Sequence, residues 1–579
     1  MFSKYYQEEL SYLRDVGRTF GLANPAIAGL LTERGADPDV ERLLEGVAFL
    51  TARIRERTED SLPEVLQGLS QLLLPNFLRP LPGCAVVEFL PQVRALKKPL
   101  TVARGTHIAA TPVDGTSCVF RTTADLTLLP LQLTETTFEG LGTSAPLLRV
   151  GLSSVEQSLE ETLRTPLRFY LHGEHPLAST LMLWVARYCR GVQVRVPGSA
   201  VPVVRLPASA IRSLGHQVDE ALLPTHPFAP AGPRLVQEYF TLPQKFLFFE
   251  VVGLEVAAGR IPATFELAFE FERPPPLPTR PGRDILKLHT VPAVNLFECD
   301  ADPIRLEHPH AEHLVRAAGL NPGHMEVHSI DDVVGLRLGD SERRTYPPFI
   351  AFEHAAEARA HFSLRHAPSP IDEGWDAFLS LSTSRDVPLP SARETLSLRL
   401  TCSNRNLPRQ LRPGDLRHAT STSPTLARFL NVTPVTAPVR PPLGADLHWR
   451  LLSHLGINQR SLTEPGVLSA LLGLYDFQKY GDVQTSRANQ LRVEAVKVLQ
   501  TYPARRLLAG SPVRGQRTVL ELNEGGFTSL GDAFLFASAI DVLFAERLTL
   551  NAFHELGAQL SPSKTEFAWT PRSGTQSLV

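Results

Sequence analysis

A chain of 579 residues is longer than one hydrophobic core supports; cores stop growing near ~250–300 residues, so about three or four domains are expected. With 43% hydrophobic and 20% charged residues, the composition is that of an ordinary folded protein and excludes wholesale disorder and fibrous repeats. The 58 basic and 60 acidic residues leave a formal net charge of −2, which excludes a general electrostatic attraction for nucleic acid.

The first eighty or so residues read as helices. Phe2, Tyr6, Leu10, Leu13 and Phe20 recur at mostly three- and four-residue steps, with Val16 bridging the gap, and form one apolar stripe. Asn24 and Pro25 end it. A second helix begins where Asp37 caps and Pro38 occupies the first turn, and it sets Val40, Leu43, Leu44, Val47, Leu50 and Ile54 on one side. Ser61 and Glu64, spaced as a capping box, announce a third helix that stops at Pro75. The opening sequence lacks the apolar stretch of a signal peptide, and no uncharged apolar run approaches the ~20 residues needed to span a bilayer, so the cytoplasm is the expected compartment.

From Cys84 the period changes from helical to alternating. Phe120, Thr122, Ala124, Leu126 and Leu128 fall on one face and Arg121, Thr123, Asp125 and Thr127 on the other, which predicts one half-buried strand. The pattern returns at Phe265 to Phe271 and at Leu396 to Leu400, with a helix predicted from Pro176 to Arg187. Proline-rich stretches from Arg273 to Gly282 and from Thr433 to Gly444 cannot occupy central strands and read as linkers or surface crossovers. The remainder reads as helix, strand, helix, strand. It carries a helix around Leu468 to Tyr475, a strand from Thr518, and a widely apolar helix from Asp532 to Arg547.

The expected fold class is therefore α+β and multidomain. A helical region spans 1–82, a β-rich domain with short helices 83–272, a second β-rich domain 273–432, and a C-terminal α+β domain 433–579.

No motif with a chemical mechanism stands out. His308, His310, His313, His324 and His328 match no metal-ligand spacing, and Pro309 breaks the helix that would align them. Asp300 and Asp302, before Pro303, are turn chemistry. Gly140 to Ala145 fits a dinucleotide-loop spacing, but Pro146 stands where the phosphate-binding helix would continue. Gly510 and Gly515 have the P-loop interval, but Gln516 and Arg517 replace its Lys and Ser/Thr. The five dispersed cysteines form no CxxC pair and read as reduced thiols. No catalytic residue, cofactor or metal is expected.

Other stretches carry a resemblance. They are KYYQEELSYL from Lys4, DPDVERLLEGVAFLTARI from Asp37, EYFTLPQKFLFFE from Glu238 and NLFECDADPIRLEH from Asn295. YPPFIAFEH from Tyr346, LTCSNRNLP from Leu400, HWRLLSHLGIN from His448 and WTPRSG from Trp569 complete the series. In order and spacing they resemble the TssF family of the bacterial type VI secretion system, across essentially the whole chain. The sequence departs from the family pattern at Asp39, where an aromatic is more usual, and at Gly456 and Ile457.

The resemblance implies a structural wedge subunit of the secretion baseplate, related to phage tail baseplate wedge proteins. It implies TssG and a second copy of TssF as wedge partners, two TssF to one TssG, with TssK, TssE and the VgrG hub beyond. It also implies assembly at the cytoplasmic face of the inner membrane, without direct membrane insertion.

The candidate interface is the stripe Phe2, Tyr6, Leu10 and Leu13, expected in a bundle shared between chains; the alternative is packing on the chain's own Val40 to Ile54 helix. Phe246, Phe248 and Phe249 are either core aromatics or contact residues. The competing functions are a wedge protein of another contractile machine, and a β-rich carbohydrate-active enzyme, which would show two carboxylates facing across a groove.

Overall fold

The computed structural model describes residues 2–23, 38–54, 75–140, 146–156, 159–199, 201–225, 229–306, 312–337, 343–349, 360–369, 374–383, 394–441, 465–508 and 511–574. The third expected helix, His308, His310 and the Gly-rich turn at 141–145 lie outside them.

The architecture is α+β, and the chain divides into two units, one of Met1–Gln71 with Gly444–Leu452, the other of Leu72–Leu443 with Ser453–Val579. In the smaller unit the helix Phe2–Ala23 ends just before Asn24 and Pro25, as the punctuation predicts, and a second helix covers residues 38–54.

The larger unit is built mostly from antiparallel sheets, the last of which also contains one parallel pair. One has the order Leu416–Ala419, His107–Ala110, Val119–Thr122, Thr290–Val294, Cys84–Pro91, Ala427–Asn431. It takes strands from both sides of residue 272, because pairing follows edge complementarity in space, not chain order. Its core of Val87, Phe89, Ile108, Phe120 and Val291 is shared with a small sheet of Leu100–Val102 and Leu126–Leu128. The continuous alternation of 118–129 is therefore two strands in two sheets. The chain bends at Thr123 and Ala124, and Asp125 Oδ1 accepts the Arg104 backbone N–H at 2.7 Å. A period of two survives such a corner because the same parity stays buried on both sides of it.

A second sheet, Val204–Pro207, Cys189–Arg195, Thr264–Phe271, Leu147–Ser154, Leu131–Glu139, contains the predicted 265–271 strand. A third takes Phe248–Val251 as an inner strand, and there Phe246, Phe248 and Phe249 are all buried, which makes them core residues. Further along, Phe297–Asp300, Glu394–Ser403, Glu326–Arg337 and Arg343–Thr345 form a sheet, and a smaller one contains Trp375–Thr383 and Ala360–Pro368. The two share a core containing Val333, Leu398, Leu400, Phe362 and Leu379.

Asn404 couples two of these sheets. Its Oδ1 accepts from Val119 N at 3.0 Å and Asn295 Nδ2 at 2.8 Å, while Asn295 Oδ1 accepts the Asn404 N–H at 2.8 Å. The left-handed residue of this turn is Arg405, with φ 54°, not an asparagine. Asn404→Ala leaves a backbone N–H and a buried amide without this acceptor, which costs ~1–3 kcal/mol. The expected result is a lower melting midpoint with secondary structure intact by circular dichroism; unchanged melting would reject the coupling.

In the last region the predicted helices are Pro465–Tyr475 and Leu530–Ala545, but a helix, Val483–Glu494, and a strand, Val496–Leu508, come between them. Val496–Leu508 forms a long hairpin with Ser511–Asn523, which in turn runs parallel to Ala552–Ser561. The Leu530–Ala545 helix is the crossover that such parallel pairing requires.

Candidate functional site

The described residues concentrate their buried charge where four helices meet: His175–Arg187, Ala231–Thr241, Val483–Glu494 and Leu530–Ala545. Two glycines let the backbones touch. A Cβ on Gly531 would lie 1.9 Å from the Ser179 carbonyl oxygen, and one on Gly232 would lie 2.7 Å from Leu543 Cα. Only glycine allows both approaches.

Asp532 is the hub of this junction. Ser529 caps its helix, the hydroxyl accepting the Asp532 N–H at 3.1 Å. The Asp532 carboxylate then gathers donors from elsewhere: Tyr239 Oη at 2.7 Å, His175 Nε2 at 3.0 Å, Arg492 Nε at 3.2 Å and Nη2 at 3.1 Å, and Thr528 N at 3.1 Å. Burial alone would raise the Asp532 carboxyl; the bonds from His175, Arg492 and Tyr239 outweigh it and hold the group far below the usual carboxylate range. Arg492 is oriented in turn by Asn489 Oδ1 at 2.9 Å.

A second buried carboxylate lies on the Ala231–Thr241 helix. Glu238 Oε1 accepts the Leu222 and Leu223 N–H groups at 2.9 and 3.0 Å and Arg234 Nη1 at 3.0 Å, and Oε2 accepts from Lys245 Nζ. Burial raises its carboxyl, but Lys245 and Arg234 together lower it below its ordinary value. At the far end of the crossover helix, Glu546 accepts the first N–H groups of the same helix, Ala231 at 2.8 Å and Gly232. It sits there as a counter-charge to the positive end of the helix dipole.

On paper Asp532, His175 and Tyr239 could be taken for acid–base machinery. The geometry argues for a joint instead. Asp532 and Tyr239 are fully buried, and the carboxylate oxygens already accept from five protein groups, so no acceptor position faces a substrate. A buried carboxylate engaged from several helices in this way fixes one relative placement of those helices.

The sequence motif EYFTLPQKFLFFE thus supplies Glu238, Tyr239 and Lys245 to the joint as well as its core aromatics. Arg492, Glu546 and the two glycines were not singled out from the sequence. Arg492 sits in a polar helix that reads as solvated; for Asp532, the Ser529-x-x-Asp532 capping spacing was the one legible signal.

Of the expected interface residues, Phe2 opens the first helix and its side chain lies outside the described residues. Leu10 is buried and Tyr6 and Leu13 are half-buried. Arg14 forms an ion pair with Glu41, which ties this helix to residues 38–54 within the same unit. On the second helix Ala48 and Ala52 are buried, whereas Leu43, Leu50 and Ile54 are 69%, 62% and 64% exposed. The apolar side that the sequence pattern picks out is thus largely outward.

The remaining chemical candidates separate in space. His324 Nδ1 pairs with Thr116 Oγ1 at 2.8 Å, while His328 is buried beside Arg79 and Arg121, an environment that repels a cation. Among the described residues no group of three or more His, Cys, Asp or Glu is placed to hold a metal ion, and no helix is long and apolar enough to cross a membrane.

The sequence matches the family described as type VI secretion system, TssF, over residues 1–576. It is 30% identical to the type VI secretion system component TssF1 of Pseudomonas aeruginosa, over 99% of this chain and 98% of that protein. The fold is similar to a chain of the type VI secretion TssK–TssF–TssG baseplate subcomplex, with a TM-score of 0.75 and 28% identity over 92% of this chain and 98% of that one. It is also similar to a chain of the type VI secretion baseplate complex, with a TM-score of 0.61 and 26% identity over the whole of both. A match that runs almost end to end in both sequence and fold leaves one assignment: the chain belongs to the TssF family of the type VI secretion system.

Proposed function

We propose that the chain is a structural subunit of a type VI secretion baseplate, acting by binding other subunits and without catalysis. The observation that carries this reading is the nearly full-length likeness to a chain solved within a TssK–TssF–TssG baseplate subcomplex. The finer assembly rests on the family. Two copies of this chain join one TssG counterpart, the wedge engages counterparts of TssK and TssE, and wedges surround a VgrG hub at the cytoplasmic face of the inner membrane. The proposed division into 1–82, 83–272, 273–432 and 433–579 is one of sequence segments, since the six-stranded sheet draws strands from both sides of residue 272.

The N-terminal helices are the proposed shared element. Phe2, Tyr6, Leu10 and Leu13 are its proposed contact stripe from the sequence pattern, and the outward Leu43, Val47, Leu50 and Ile54 repeat at helical spacing on the second helix. An exposed stripe of this length on a helix pair is what a bundle with another chain would cover. Burying one leucine fully contributes ~1.5–3 kcal/mol, so removing two exceeds a tenfold change in affinity. Leu43→Asp with Leu50→Asp should leave the chain folded and soluble but lower its co-purification with the TssG counterpart by at least about tenfold. Tyr6→Asp with Leu13→Asp should have the same effect through the first helix's stripe. A complex at the wild-type ratio in both variants would sink the shared bundle.

A further inference from the structure

Cys84, Cys118 and Cys189 are buried and separate, and burial pushes their thiols up, those of Cys118 and Cys189 to about 12. Cys299 and Cys402 are placed differently. Cys299 lies on the strand Phe297–Asp300 and Cys402 on Glu394–Ser403, and the antiparallel register sets Phe297 opposite Cys402 and Cys299 opposite Leu400. The two cysteines are therefore diagonal neighbours on one face, with their sulfurs 3.2 Å apart and sharing a hydrogen bond. Cys402 is buried in the core with Leu400, and Cys299 is half-buried at its rim.

We propose that Cys299 and Cys402 are a reactive thiol pair that closes to an intramolecular disulfide when the protein meets a hydroperoxide. Three features of the placement support it. Cys299 can be reached from solvent, Cys402 is already in contact behind it, and the strand bearing Cys299 is a four-residue edge strand. Diagonal cross-strand neighbours sit ~7–8 Å apart, whereas a disulfide wants Cα atoms at about 5.5–6 Å. Closure thus needs the edge strand to slide along its neighbour by ~1–2 Å, since the paired strands already lie ~4.7–4.9 Å apart. A short strand held on one side can do this, and an inner strand cannot.

Cys299 acts first. Its thiolate sulfur attacks the peroxide oxygen, an S–O bond forms as the O–O bond breaks, and the leaving oxygen takes a proton to depart as water or alcohol. Cys402 then loses its proton and attacks the Cys299 sulfur; the S–S bond forms, the S–O bond breaks, and the hydroxide leaves as water with that proton. Two thiols are oxidised and one peroxide is reduced. The shared hydrogen bond lowers the Cys299 thiol against the opposing effects of burial, Asp300 and Asp331, and it raises Cys402 together with burial, in keeping with this order.

The test uses the full-length reduced protein, treated with hydrogen peroxide, alkylated, digested without reductant and mapped by mass spectrometry. The expected product is a Cys299–Cys402 cross-linked peptide pair lacking two hydrogens, restored by dithiothreitol, with Cys84, Cys118 and Cys189 alkylated only after unfolding. In Cys402→Ser the expected product is a Cys299 sulfenic acid trapped by dimedone. If Cys299 and Cys402 stay unlinked in the folded wild-type protein while peroxide is consumed or present in excess, the proposal fails. A bridge between any other pair, or between chains, overturns it as well. The wild-type mapping decides the matter even if the serine variant does not fold.

Discussion

Asp532→Ala is expected to lower the thermal midpoint by many degrees or to drive the protein into the insoluble fraction. The substitution leaves Arg492, 6% exposed, without its charge partner, and it strips acceptors from Tyr239, His175 and the Thr528 N–H. Removing one partner of a buried ion pair costs ~3–5 kcal/mol, against a total stability of the order of 5–15 kcal/mol for a domain. Arg492→Met should cost a comparable amount. The double variant should lose less than the sum, because the second change removes a charge that the first had already orphaned. Asp219→Ala, at an exposed position, serves as the control. Additive losses, or an unchanged midpoint for Asp532→Ala, would show that the junction does not hold these helices together.

The second large effect is a loss of stability as the pH falls from about 6.5 towards 4. His289 and His366 are buried, and burial lowers both to about 4; His328 is lowered further by burial and by Arg79 and Arg121. The geometry gives a reason at His289, whose Nε2 accepts the Leu129 N–H at 3.1 Å and loses that acceptor lone pair on protonation.

For a group whose folded value lies below its unfolded value of ~6.5, the unfolded chain takes up protons first. Its contribution is complete above pH ~6.5 and lost as the pH falls towards the folded value. The interval from ~6.5 to about 4 is worth roughly 3 kcal/mol per histidine. Asp532 and Glu238, held below the ordinary carboxylate range, add their loss only below pH ~4. Denaturant midpoints measured across this range should therefore fall steeply with acid. His289→Gln, which keeps an acceptor but no titrating ring, should flatten the dependence, and parallel curves for variant and wild type would refute this assignment.

Much of this was legible without coordinates. The helix stop at Asn24 and Pro25, the strands at 264–271 and 394–403, and the helices at 175–187 and 530–545 follow from local period and punctuation. Each is set by contacts within a few residues, and amphipathic patterning records which face is buried. The pattern misled where burial changed its source. The 118–129 run keeps its parity around a corner and so reads as one strand, and the polar helix Val483–Glu494 and the strand Val496–Leu508 went unread. The helix is polar, and the strand's distal half is exposed, so neither carries the apolar rhythm that marks a buried face.

By itself the sequence determined the family, the α+β class and the succession of most elements, because those rest on ordered motifs and local propensities. Tertiary structure alone decided that residues 84–91, 290–294 and 427–431 share a sheet, that Asp532 meets Arg492, His175 and Tyr239, and that Cys299 touches Cys402. It also decided that the helix at 38–54 buries Ala48 and Ala52 and turns Leu43 and Leu50 outward. Those outcomes depend on which distant segments come together to satisfy buried charge and backbone hydrogen bonds, and a single chain's local period carries no record of its partners in space.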